Sequence, residues 1–139
     1  MRFCLCLLAA AALCLAADSK QSVTVRGKLV VKDGQTAVLE TADHKTIKLD
    51  GDNNTLKVLG DTRLNGFQAQ ARGHFESADR FLIDPPHTKP LLVEKDGHLK
   101  LISYWCDVCT VRASTPGPCV CCQKETALDL IDPDHEEHK

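Results

Sequence analysis

The stretch Val23-Thr24-Val25-Arg26-Gly27-Lys28-Leu29-Val30-Val31-Lys32-Asp33-Gly34-Gln35-Thr36-Ala37-Val38-Leu39 decides the fold class. Val23 and Val25 alternate with polar residues, Leu29-Val30-Val31 extends the apolar pattern, and Lys32-Asp33-Gly34 is a turn signal ahead of Ala37-Val38-Leu39. This pattern predicts a β-hairpin. Thr46-Ile47-Lys48-Leu49 then alternates with a strict period of two, and Asp50-Gly51-Asp52-Asn53-Asn54 is a polar break of the kind that ends a strand. Leu56 to Leu64 fits neither the helical nor the strand period cleanly, because Gly60-Asp61 interrupts both; it reads as a loop with room for a short helix.

Downstream, Phe67 to Phe75 alternates again, and Phe81-Leu82-Ile83 is a compact apolar run stopped by Asp84-Pro85-Pro86. The stiff proline pair is expected to mark the edge of a first structural unit, residues 18–86. Beyond it, Leu91-Leu92-Val93 and Leu99 to Tyr104 flank Lys95-Asp96-Gly97, a second hairpin signal that leads straight into a group of cysteines. Short strands with regularly spaced turns predict a mostly β chain: a small barrel or sandwich, followed over residues 87–131 by a β-hairpin and a zinc-ribbon-like Cys4 segment. The strand order, with a longer connection after the third strand, looks like a small OB-type barrel. Residues 132–139 read as a flexible acidic and histidine-bearing tail.

The N-terminus has the three zones of a secretory signal peptide, expected over residues 1–17: Arg2 supplies positive charge, Phe3 to Leu15 is apolar, and Ala16-Ala17 are small. That run is too short for a membrane-spanning helix and no second one follows, so no permanent membrane anchor is expected and the chain reads as periplasmic or secreted. Cys14 follows Leu13, where a lipid-attachment signal would carry a small residue, so ordinary cleavage is preferred. With a formal net charge of -2 and no run of Lys or Arg, the electrostatic footprint of a nucleic-acid binder is missing.

Cys4, Cys6 and Cys14 belong to the leader, whereas Cys106, Cys109, Cys119, Cys121 and Cys122 crowd into one segment. Cys106-Asp107-Val108-Cys109 and Cys119-Val120-Cys121-Cys122 are two Cys-x-x-Cys pairs, and Pro116-Gly117 supplies a chain reversal between them. Each pair can aim two thiolates at one point from a tight turn, so together they can complete a tetrahedron. Cys106, Cys109, Cys119 and Cys122 are therefore the candidate metal ligands, for Zn2+ or Cu(I). Cys121 is the odd thiol: an alternative ligand, a small buried apolar group, or an exposed reactive thiol.

Around these residues the segment from Tyr104 to Thr126 resembles the short heavy-metal-binding domain of bacterial copper-transporting ATPases and metal-efflux components. That family's pattern runs Tyr-x-Cys-Pro-x-His and then Pro-Gly-x-Cys-Pro-x-Cys-Gly, and Tyr104, Cys106, Pro116, Gly117, Cys119 and Cys122 stand at matching places. Cys109 replaces the family's histidine, neither proline after a ligand is present, and Gln123 replaces the final glycine. The resemblance implies metal binding, not transport or catalysis.

Two other readings follow from the same cysteines. An exported chain meets oxidising conditions, so the four thiols can instead form two disulfides in a stapled β module that binds a protein or envelope partner; crosslinks between the pairs would then stabilise most. Thiol–disulfide exchange at Cys106-Asp107-Val108-Cys109 is a distant third, because Asp107 opposes the lowered thiol pKa such chemistry needs. Metal is preferred because the paired spacing is what zinc sites use. No nucleophile with an orienting base, no paired carboxylates and no phosphate loop are recognisable, so the chain is not expected to be an enzyme. His44, His74, His87 and His98 read as surface histidines, His135 and His138 as part of a solvated terminus, and Trp105 as a residue that either covers the metal turn or belongs to the core.

Overall fold

Leu29 and Val30 of β1 (Val23–Val30) stand opposite Leu39 and Val38 of β2 (Val38–Glu40), so the first hairpin closes around Lys32-Asp33-Gly34 as its sequence predicts. The fold is taken from a computed structural model that describes residues 21–134. The leader expected over residues 1–17 and the histidines at 135 and 138 lie outside the described residues.

β2 pairs antiparallel with β3 (Thr46–Asp50), and β3 pairs in parallel with β5 (Arg80–Ile83). Next, β5 pairs with β4 (Gln68–Phe75), and β4 returns to β1 through six registered pairs from Val23↔Gly73 to Lys28↔Gln68. These pairings close a five-stranded barrel, the OB-like form expected, and closure removes the exposed edges that an open sheet would present. Period two does the rest: Leu29, Leu39, Leu49, Ala71 and Phe81 have no exposed surface and fill the interior, while their polar neighbours face water.

Two glycines allow the strands to cross closely. A Cβ at Gly27, where β1 passes from β4 to β2, would meet the Glu40 carbonyl oxygen at 2.3 Å; at Gly73 it would meet the Leu82 carbonyl oxygen at 1.9 Å. Neither contact is tolerable for a side-chain carbon, so both positions select glycine.

The ambiguous stretch after Asp50 resolves into α1 (Asn53–Leu59) and a 3-10 turn (Thr62–Leu64). Asp52 caps α1, accepting hydrogen bonds from the Thr55 backbone N–H at 2.8 Å and the Thr55 hydroxyl at 2.7 Å. Val58, Leu59 and Leu64 are buried and join the barrel core, which explains why this segment lacked a clean period: it packs one short face and then turns.

Pro85-Pro86 does not end the sheet. β4 pairs with β5 before the prolines and also with β6 (Leu91–Lys95) after them, and Leu91, Val93, Ile102 and Tyr104 share one core with the barrel. The boundary expected at residue 86 therefore falls between two strands held by the same neighbour. β6 forms the second hairpin with β7 (His98–Cys106), which pairs with β8 (Val111–Ala113) at Tyr104 to Cys106 and with β9 (Ala127–Ile131) at Leu101 to Trp105. Because residues 104 and 105 meet both β8 and β9, and Leu101 meets both β6 and β9, β6 and β8 follow one another along one edge and β9 lines the other. β7 thus runs from the barrel to the cysteines as a strand supported on both sides.

Candidate metal centre

Tyr104 and Cys106 are two residues apart on β7 and share its buried face, with 0% and 2% exposure. A turn over residues 107–110 carries Cys109 back beside Cys106, and β8 leads to a second turn that holds the other pair. This second turn is laced by backbone: Cys119 N–H donates to the Lys124 carbonyl at 2.7 Å, Gln123 N–H donates to the Cys119 carbonyl at 2.9 Å, and Pro118 bridges to Glu125. The two turns share a feature at the same place. The residue just after the second cysteine of each pair is left-handed, Thr110 at φ 53° and Gln123 at φ 62°. Both turns thus take, with other residues, a conformation that glycine adopts without strain.

The turns bring together the four residues singled out by spacing. The Sγ atoms of Cys106, Cys109, Cys119 and Cys122 all lie within 4.8 Å of one another, and Cys106 and Cys122 are 3.5 Å apart. For comparison, Zn–S bonds of ~2.3 Å in a tetrahedron require thiolate sulfurs about 3.8 Å apart. The cluster has the size and the donor set for a soft or borderline cation.

Backbone amides point at the first sulfur of each pair. Cys119 accepts hydrogen bonds from the N–H groups of Cys122 and Cys121, the latter at 3.4 Å, and these pull its thiol down to about 7. Cys106 accepts the N–H groups of Cys109 and Val108, but burial and the thiols of Cys122 and Cys119 outweigh them and leave it raised. Cys109 is pushed well above the ordinary thiol range, first by the facing thiol of Cys121, then by burial and its other sulfur neighbours. Four thiols crowded this closely cannot all ionise unless a cation compensates them, whereas amides aimed at sulfur favour the thiolate.

The second turn is anchored to the barrel. Arg63, held by Asp61 at 2.9 Å, donates to the Thr126 carbonyl at 2.9 Å, and Thr126 in turn donates from its hydroxyl to the Gly117 carbonyl at 2.8 Å. The Arg63 guanidinium also lies 5.3 Å above the centre of the Tyr104 ring. A second anchor is His87. It is 3% exposed, not the surface residue its sequence context suggested, and its Nε2 lies 2.8 Å from the Ser114 carbonyl, which fixes the loop before Pro116. No local pattern marks Arg63, Thr126 or His87 for these roles, since each partner is remote in sequence.

The other candidates fall outside the cluster. Cys121 is exposed and does not belong to the mutually close four. Trp105 points to the face of β7 opposite Cys106 and stacks under the Arg112 guanidinium, 4.9 Å from its ring centre, so it neither covers the site nor joins the core. His74 sits 3.1 Å from Glu76 on the barrel, and His44 and His98 are exposed. No family model, curated protein or solved structure matches this chain.

Proposed function

We propose that this chain is an exported metal-binding protein, periplasmic or secreted, in which Cys106, Cys109, Cys119 and Cys122 hold Zn2+ or Cu(I) on an OB-like β platform. The observation that carries this reading is the convergence of all four Sγ atoms within 4.8 Å from two turns of like backbone conformation. A chain built only for crosslinks has no need to bring four sulfurs to one point. The leader-like Arg2 and the apolar run from Phe3 to Leu15 support export, and among the described residues no helix is long and apolar enough to cross a membrane. Four thiolates fill a tetrahedral ion's coordination, so the role is to fix the fold or to buffer and hand on the ion, and no catalytic function is assigned.

The test is native and denaturing intact mass of the purified mature protein, with thiol alkylation and elemental analysis of the same sample. One bound ion, with all five cysteines alkylatable after denaturation, is the expected result. Replacing Cys119 with serine should abolish the bound ion; metal content unchanged in Cys119→Ser rules this residue out as a ligand.

One contact favours a second reading. Cys106 and Cys122 meet at 3.5 Å across the two pairs, the arrangement a stapled module needs. In that case the chain would bind a protein or envelope partner through its β surface, and the same sample would be metal-free with a mass lower by four hydrogens.

A further inference from the structure

The outer face of the barrel carries an open groove that shares no residue with the cysteine turns. Its volume is about 570 Å³, within the range of small-molecule sites. Register builds its floor. Gln68 of β4 stands opposite Lys28 of β1, Lys28 opposite Glu40 of β2, and Glu40 opposite Thr46 of β3, and all four are exposed. Directly opposed residues share a face, so these four form one polar row about 14 Å long at ~4.8 Å per strand. Arg26 lies two residues before Lys28 on the same face, and His44 stands at the rim.

Two features set this row apart from an ordinary solvated face. Arg63, Arg72, Arg80 and Arg112 each pair with an aspartate, and among the described residues Arg26 alone of the arginines has no acidic partner. Lys28 also closes no ion pair, although Glu40 is its cross-strand neighbour. The second feature is His44, at φ 62° in the β2–β3 turn, which Thr41 N–H closes by donating to the Lys45 carbonyl at 2.9 Å. Glycine would take that position without strain, so an imidazole is kept at the groove's rim against a backbone preference.

Arg26 and Lys28 set against Glu40 leave one positive charge unmatched, which suits a ligand with a single negative charge. The Glu40 carboxylate, Thr46 hydroxyl and Gln68 amide supply donors and acceptors for hydroxyl groups. Among the described residues no Phe, Tyr, Trp or large aliphatic side chain lines the groove, so it has no stacking platform for a base and no apolar wall for a lipid chain. We propose that this groove binds a small polyhydroxy carboxylate, its carboxylate held by Arg26 and Lys28 and its hydroxyls laid along the row of Glu40, Thr46 and Gln68.

The experiment titrates the isotopically labelled full mature protein with gluconate, with sorbitol, which lacks the carboxylate, and with acetate, which lacks the hydroxyls, and follows backbone amide shifts. Gluconate should shift the amides of residues 26–28, 40–46 and 68 saturably, with sorbitol and acetate weaker by about ten-fold or more. Arg26→Met, at an exposed position, should melt as wild type and weaken gluconate binding about ten-fold, and Thr46→Val should weaken it several-fold. Acetate binding as tightly as gluconate reduces the groove to a bare anion patch and overturns the proposal, as does sorbitol matching gluconate. No saturable shift, shifts confined to another part of the chain, or unchanged affinity in both Arg26→Met and Lys28→Met overturns it equally. None of these outcomes depends on whether the cysteines hold a metal.

Discussion

Arg63 donates to the backbone carbonyl of Thr126 at 2.9 Å, joining the barrel's 3-10 turn to the turn that carries Cys119 and Cys122 across 63 residues of sequence. The barrel and the cysteine segment are thereby one mechanical unit. Replacing Arg63 with methionine removes this bond and takes the guanidinium from the nearly buried Asp61 carboxylate, leaving it the backbone N–H of residue 63. A cost of about 2 kcal/mol is expected, modest because the guanidinium is partly open to water. The melt should move as a single transition, and the Thr126 amide should exchange faster. If the barrel melts unchanged in Arg63→Met, the coupling is absent.

Acid should act on the same contact. Burial pushes the Asp61 carboxyl up, but the Arg63 side chain and backbone N–H outweigh it and hold the group below its ordinary value of 3.8. A folded-state pKa below the unfolded one stabilises the fold above the unfolded pKa, and that contribution is lost as pH falls through the folded value. Urea unfolding between about pH 5 and pH 2 should show stability falling, with a shallower fall in Asp61→Asn. An identical pH slope in the two proteins would count against Asp61 as the responsible group.

Gly73 offers a test of barrel closure. Alanine there drives a Cβ to within 1.9 Å of the Leu82 carbonyl oxygen, so Gly73→Ala should cost about 3 kcal/mol or more, measured by chemical denaturation. Gly34→Ala is the comparison, because its Cβ meets nothing within 4 Å and only the positive φ of 69° opposes it. Its cost should be roughly 1 kcal/mol. The two substitutions should rank in that order, and the reverse ranking would contradict the close β4–β5 crossing.

The two left-handed residues of the cysteine turns predict gains. Thr110 is β-branched and sits at φ 53°, so Thr110→Gly should stabilise the reduced protein by about 1 kcal/mol, less what is lost with its hydroxyl bond to the Cys109 carbonyl. Gln123→Gly, at φ 62°, should gain less. Thermal melts decide the matter; lower midpoints for both would mean these backbone conformations are not retained in solution.

Much of the fold was legible because burial on one face imposes period two. Leu29, Leu39, Ile47, Leu49, Ala69, Ala71 and Phe81 all fall at alternating positions of strands the pattern predicted. β8 escaped notice because all three of its residues are exposed, so no core face imprints a pattern on Val111-Arg112-Ala113. β9 was missed although Leu128 and Leu130 alternate; these two are only half-buried and lie close to a polar tail. The cysteine cluster was legible because ligands in tight turns keep a fixed local spacing. Its supports were not, since Arg63, His87 and Thr126 act through partners that only the folded chain brings near.

The shared register of Tyr104 and Cys106 on β7 also ties the core to the cysteine cluster. All five barrel strands precede Pro85, but the barrel core is incomplete until β7 delivers Tyr104, its largest fully buried side chain. The movement that seats Tyr104 also carries Cys106 to its final place two residues further on, and a slip of one residue would turn both outward. Filling the barrel's centre and placing the first thiol are therefore one matter of register: a change that shifts β7 by one position would empty the core and break the sulfur cluster at the same stroke.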